Sequence, residues 1–298
     1  MLCLFRCWRF AGLRLLSNVG IIGEPKCTGC DKITCKLSFG WCLQEVVMSI
    51  SEDPSLARRI PAIEYHDSEY KGGQTVQMTT AWFLYQLQWL SDNNYHALSN
   101  NEILRFVRGE YQPPRRSCFL RFDVGMPIYK NLQEVVVPAL VKYSFHATFF
   151  VLTCSIKETS KTNDVCWSHL REWEQTGLIE IGSHGVYHPD YRAASTATRV
   201  WDARESKRII ETKLGHPISF FCFPYDSVPN NPGALLRLFG YQLGFAGNSR
   251  IKDRSIQFND PNPFSLPCYY PYSYKKIYPL ITGTAKLTFG QMMEAAIQ

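Results

Sequence analysis

Short apolar runs alternate with amphipathic stretches from residue 60 to residue 246, and this alternation most limits the folds open to the chain. Ile60-Pro61-Ala62-Ile63-Glu64-Tyr65 reads as a strand. Trp82, Phe83, Leu87 and Leu90 then recur at helical spacing behind Thr79 or Thr80 as N-cap. Ser99 and Glu102 stand at capping-box spacing at the head of a second helix that runs to Val107. Further strands are predicted at Cys118 to Asp123, His146 to Leu152, Gly177 to Gly182, Ile218 to Phe223 and Tyr241 to Ala246. Helices are predicted from Ile128 to Tyr143, around Trp167, Leu170 and Trp173, from Ser195 to Leu214 and from Pro232 to Phe239, with Gly215 and Pro217 stopping the longest. Beyond Asn248 the pattern fades into Pro- and Tyr-rich chain before a last helix from Gly290. Strands joined by helices predict a parallel sheet with right-handed crossovers, either open and doubly wound or closed as a barrel.

In such folds chemistry gathers at the carboxyl ends of the strands. Tyr65 and His66 end the first strand and Asp123 the second; His184 and His188 follow the fourth, and Pro224-Tyr225-Asp226 the fifth. Each has a plain structural reading: an N-cap for Asp123, a core histidine for His66, a turn for Pro224-Tyr225 and a surface pair for the two later histidines. Their arrival at one strand-end face favours the functional reading. Gly182-Ser183-His184-Gly185-Val186-Tyr187-His188-Pro189 puts two imidazoles on one short loop after a strand, where they can converge on a divalent ion, and imidazole suits zinc.

Composition bounds the rest. The chain has 298 residues, 45% hydrophobic, and a net charge of +6 without a run of five like charges. Arg115-Arg116 and Lys275-Lys276 are short doublets that read as solvated faces, so nucleic acid is not an expected partner. No apolar stretch is long enough to predict a transmembrane span. Cys3, Cys7, Cys27, Cys30, Cys35 and Cys42 crowd the first 42 residues, while Cys118, Cys154, Cys166, Cys222 and Cys268 sit in apolar settings and read as small buried hydrophobes. Cys27-Thr28-Gly29-Cys30 opens like a zinc ribbon, but no second such pair follows. Arg6, Arg9 and Arg14 interrupt the apolar start, which differs from a secretory signal; an organellar transit peptide and an over-long gene model with Met48 as the true start both stay open. Residues 1–47 are set outside the fold on this reading.

Six segments in order resemble the polysaccharide deacetylases of the NodB-homology type, carbohydrate esterase family four. Ile60 to Ser68 is similar to the family's opening "IPVLMYH", Phe83 to Tyr95 to its first helix, and Arg121-Phe122-Asp123-Val124-Gly125 to "TFDDG". Pro138 to Val151 resembles "PILKKYGVKATFFV", Glu180 to His188 "EIGSHTxxH", and Phe221 to Tyr225 the "YPYG" of the exopolysaccharide branch. The resemblance implies a distorted (β/α)7 barrel over residues 58–298 that removes N-acetyl groups from amino-sugar polymers or glycans. It implies a divalent metal, zinc by preference, on His184 and His188, with Asp123 as general base and the Tyr225 backbone N–H holding the oxyanion. Tyr65, His66 and Pro224 are the expected substrate-binding residues.

The sequence departs from the family pattern at three places. Val124 occupies the position of the carboxylate metal ligand, Cys222 that of an arginine that pairs with the base, and no histidine follows His216 to act as the late general acid. Asp67 and Glu64 are the acids near enough in the chain to replace the missing ligand. The alternative function is a barrel that has lost catalysis and binds carbohydrate or a partner.

Overall fold

The first strand, β1 (Arg59–Tyr65), is buried along almost its whole length, as its apolar run from Ile60 to Ile63 requires, and it carries Glu64 inside with it. The structure is a computed structural model that describes residues 53–66, 70–72, 75–125, 131–159, 164–246, 255–271 and 288–298. The expectations for residues 1–47, Asp67, Lys275-Lys276 and the start of the helix at Ile128 lie outside these. Residues 51–298 form one compact unit. A short antiparallel pair, β2 (Tyr70–Gly72) and β3 (Thr75–Met78), follows β1. Next come α1 (Thr80–Asp92), capped by Thr79, then β4 (His96–Ala97) and α2 (Asn100–Val107), which opens on the expected Ser99–Glu102 capping box.

The second half repeats strand and helix in the predicted order. It comprises β5 (Ser117–Val124), α3 (Val137–Tyr143), β6 (Ala147–Val151), α4 (Trp167–Glu174), β7 (Ile179–Ser183), α5 (Thr196–Leu214), β8 (Phe220–Cys222), α6 (Pro232–Leu238) and β9 (Leu243–Phe245). A π-helical turn at Leu132–Val136 leads into α3, and α5 ends on Gly215 in the left-handed conformation. The last elements are β10 (Ser255–Gln257) and α7 (Phe289–Ala296).

The sheet runs β10-β1-β5-β6-β7-β8-β9, with β4 beside β5. Every pairing from β1 to β9 along this path is parallel; only β10 runs antiparallel, against the first residues of β1. The sheet is strongly curled, and the chain from Leu266 to Tyr269 bridges its edges. Leu266 pairs in parallel with Phe245 of β9, and Tyr269 with Ile63 of β1. Six parallel strands and this closing segment give a barrel of the (β/α)7 kind. Both faces of the sheet are apolar: Leu120, Phe122 and Val124 join one cluster, while Phe119, Phe150, Phe220 and Phe245 form another. Among the described residues no helix is long and apolar enough to cross a membrane. One cysteine departs from expectation, because Cys154 is exposed on the turn after β6.

Candidate active site

The carboxyl ends of β1, β5 and β7 meet around one small cavity lined by His66, Asp123, Val124, Gly125, Leu152, His184 and His188. The cavity is small and largely enclosed, with room for one small occupant. His184 stands at the end of β7. Its Nδ1 donates to the Cys222 carbonyl at 3.0 Å. A carbonyl can only accept, so Nδ1 carries the proton and Nε2 is left with its lone pair facing the cavity.

Across the cavity the His188 Nε2 lies 3.1 Å from the His184 Nε2, and the Asp123 Oδ2 lies 3.7 Å from that same nitrogen. Ligands bound at ~2.0–2.1 Å around a tetrahedral ion stand about 3.3 Å apart, so the separation of the two imidazole nitrogens fits a shared divalent cation, with the Asp123 carboxylate beside it. Burial holds the imidazoles unprotonated, as ligands must be. It pushes His184 down to about 4, with Asp123 pulling the other way, and lowers His66 to about 4 and His188 below its ordinary value. The donor set therefore suits a metal, although Val124, with no exposed surface and packed with Leu120 and Phe122, adds nothing to it.

The loop carrying the histidines is held from beneath by Asp202 of α5. One carboxylate oxygen accepts from the backbone N–H groups of Val186 and Tyr187 at 3.0 and 3.1 Å, and the other from the Tyr191 hydroxyl at 2.7 Å. Gly185 makes this possible: its φ is +85°, and a Cβ there would come 2.3 Å from the Asp202 carboxylate. Three of the non-glycine residues with positive φ are here, His188 (58°), Tyr225 (55°) and Asp226 (52°). Such conformations concentrate where a site dictates side-chain direction. Tyr225, on the tight turn after β8, sets its ring edge-on to His188 with centroids 4.2 Å apart.

Asp123 has a partner that sequence reasoning missed. Arg121, two residues earlier on the same face of β5, has no exposed surface and donates from one nitrogen to both Glu64 and Asp123, the latter at 3.3 Å. Cys222 donates its thiol to the same Asp123 oxygen at 3.5 Å, and Cys268 donates to Glu64 at 2.9 Å. Burial opposes ionisation of Asp123, but the guanidinium, with His184 and His66 adding to it, holds its carboxyl below the usual range. Glu64 goes the opposite way: burial raises it well above the ordinary value despite Arg121, and Asp123 and Asp226 add to the rise. Cys222 thus occupies the position of the expected arginine, while a guanidinium reaches the acid from β5 itself.

The other expected residues are placed less uniformly. His66 lines the cavity, and its ring lies with Glu64 and Asp123 in a group whose ligand atoms are within 4.8 Å of one another. Glu64 is tied to Arg121 and Cys268. Tyr65 does not reach the cavity. Alternation along β1 turns it into the core, stacked on Phe122 and donating its hydroxyl to Gln86 at 2.8 Å. Pro224 is buried and shapes the turn that presents Tyr225. Asp202 escaped notice because a lone acid inside a helix gives no sequence signal. Arg121 did give one, a single cation in the apolar run from Cys118 to Phe122.

Known proteins resemble this chain in sequence and in fold. Residues 110–244 match the family model described as polysaccharide deacetylase. The poly-beta-1,6-N-acetyl-D-glucosamine N-deacetylase of Escherichia coli (strain K12) is 22% identical over 247 residues, covering 69% of this chain and 36% of that protein. The chain therefore spans about a third of the length of the curated relative it matches. Among solved structures, the Streptococcus pyogenes deacetylase PplD in complex with acetate aligns with a TM-score of 0.63 at 22% identity, covering 72% of this chain and 92% of that one. IcaB from Ammonifex degensii aligns with a TM-score of 0.59 at 17% identity, covering 71% and 91% respectively. These structural likenesses are of fold. The family match, over residues 110–244, and the shared curved parallel sheet make this chain similar to the polysaccharide deacetylases in sequence and in fold.

Proposed function

We propose that the chain hydrolyses N-acetyl groups on amino-sugar polymers or glycans, with a divalent cation, zinc by ligand chemistry, held by His184 and His188. The observation that carries this reading is the convergence of Asp123, His66, His184 and His188 on one ion-sized cavity at the strand ends. The cation supplies Lewis acidity to the acetyl carbonyl. Asp123, kept ionised by Arg121, takes a proton from the attacking water as the new carbon–oxygen bond forms. The Tyr225 backbone N–H stabilises the oxygen that gains charge. As the carbon–nitrogen bond breaks, the amine needs a proton. With no histidine after His216, Asp123 returns the one it took, leaving acetate and a free amino sugar. His66 lines the acetyl-binding side of the cavity.

The test is metal analysis together with acetate release from a soluble N-acetylglucosamine oligomer. Zinc at one equivalent, lost in His184→Ala, and acetate release by the zinc-loaded full chain are expected. A zinc-loaded chain that binds the oligomer and releases no acetate would overturn the catalytic reading in favour of a binding domain.

A further inference from the structure

Of the four exposed aromatic side chains among the described large hydrophobics (Tyr85, Tyr187, Trp201 and Tyr225), three surround the His188 loop. Tyr187 immediately precedes His188 and is 69% exposed, yet it is not loose. Its backbone N–H is fixed by Asp202 at 3.1 Å. Its ring lies parallel to that of Trp201, with centroids 5.7 Å apart and planes 9° from parallel. Asp202 is the next residue after Trp201, so one turn of α5 fixes both the backbone and the ring of Tyr187. Tyr225, 68% exposed, sets its ring edge-on to His188. Large apolar faces held rigidly in water beside a site mark a binding surface.

From this we infer that Tyr187, backed by Trp201, is a stacking subsite for a pyranose ring of the glycan, next to the sugar whose acetyl group sits over His188. This rests on reading the site as one that takes amino-sugar chains. An equatorially substituted pyranose such as glucosamine carries only C–H bonds on its two faces. Those faces match an aromatic ring, while its hydroxyls and acetamide stay at the edge in water. The stack buries apolar area on both partners, and the ordering of Tyr187 in the free protein reduces the entropy lost on binding. The consequence is a preference for chains over single sugars, set by a residue outside the catalytic cavity.

The experiment measures binding of a soluble N-acetylglucosamine oligomer to the full chain by calorimetry. Tyr187→Ala is expected to weaken binding roughly three- to tenfold, the range for loss of one aromatic stack. Trp201→Ala should weaken it less, and Tyr187→Phe should retain it. Tyr85→Ala, which removes a ring stacked on Trp82 of α1 in the same manner, is expected to bind as the wild type does. Oligomer binding that is unchanged in Tyr187→Ala, or weakened equally by Tyr85→Ala, overturns the subsite, as does a wild-type chain that fails to bind the oligomer. Acetate release with unchanged Tyr187→Ala binding would leave the deacetylase reading standing and the subsite refuted. Weakened binding in a chain that releases no acetate would do the reverse.

Discussion

The site has two halves of opposite character. The inner half, Glu64, Arg121 and Asp123, sits on regular strand backbone inside the barrel with almost no contact with water. The outer half, His188, Tyr187 and Tyr225, sits on turns, and two of its members have left-handed backbone. The contrast separates two tasks. Charge is set where water is excluded and a guanidinium acts at close to full strength. Reach toward a large substrate is set where loops can aim side chains outward. Disturbing the inner half should therefore change chemistry and stability together, whereas disturbing the outer half should change binding while the fold persists.

The largest expected effect falls on the inner half. Asp123→Asn keeps the shape of the side chain and removes the base, so acetate release should drop by about 10²–10⁴. Metal content should stay near one equivalent, since the two imidazoles are untouched; loss of the metal along with activity would recast Asp123 as a ligand. Arg121→Met comes next. It leaves Glu64 and Asp123 buried without their cation, and breaking a buried pair in this way costs about 3–5 kcal/mol. Urea unfolding measures this, and adding Glu64→Gln should restore part of the loss, because one of the two acids left without the cation is then a neutral amide. A near-neutral Arg121→Met would show that water reaches the barrel interior.

A smaller effect concerns pH in the metal-stripped protein. His66 and His184 both titrate near 4 when folded, against an ordinary value of 6.5, because burial disfavours their charged forms. The unfolded chain then binds protons that the folded chain refuses. Stability is complete above about pH 6.5 and declines as pH falls toward 4, by at most about 3 kcal/mol per histidine. Asp123 acts in the same direction at lower pH, and Glu64, raised when folded, acts in the opposite one. Melting curves between these limits should shift downward with acid. His66→Phe and His184→Phe should each flatten the shift.

Much of the scaffold was legible in the sequence because local and tertiary preferences agree there. Thr79 and Ser99 cap their helices as read, Gly215 ends α5, and the strands leading to Asp123 and His184 are mostly apolar and buried. After Asn248 this agreement stops. β10 is three residues long, and the Leu266 to Tyr269 segment closes the barrel through isolated bridges, so its conformation comes from the edges it joins. The site divides along the same line. His184, His188 and Asp123 are legible because each follows a clear strand. Arg121 and Glu64 stand out singly, as charges in apolar runs, but their pairing does not, because it joins residues 57 apart in the chain. Tyr65 misleads, since a residue at a strand end reads as exposed chemistry when the strand's alternation has turned it inward.

The smallest effect sharpens the account of the outer half. Tyr225 has a φ of 55° and is mostly exposed, so its ring packs chiefly on His188. Left-handed backbone costs a residue with a Cβ about 1–2 kcal/mol, and glycine escapes this while losing roughly 0.5–1 kcal/mol through its freer unfolded chain. Tyr225→Gly should thus unfold within about 1 kcal/mol of the wild type, whereas Tyr225→Ala, which keeps the strain and loses the ring, should be the less stable of the two. Both lose the contact that steadies His188, so both should bind the metal more weakly than the wild type does. If Tyr225→Ala is instead as stable as Tyr225→Gly, the turn relaxes without strain, and the backbone at this position is not what aims His188.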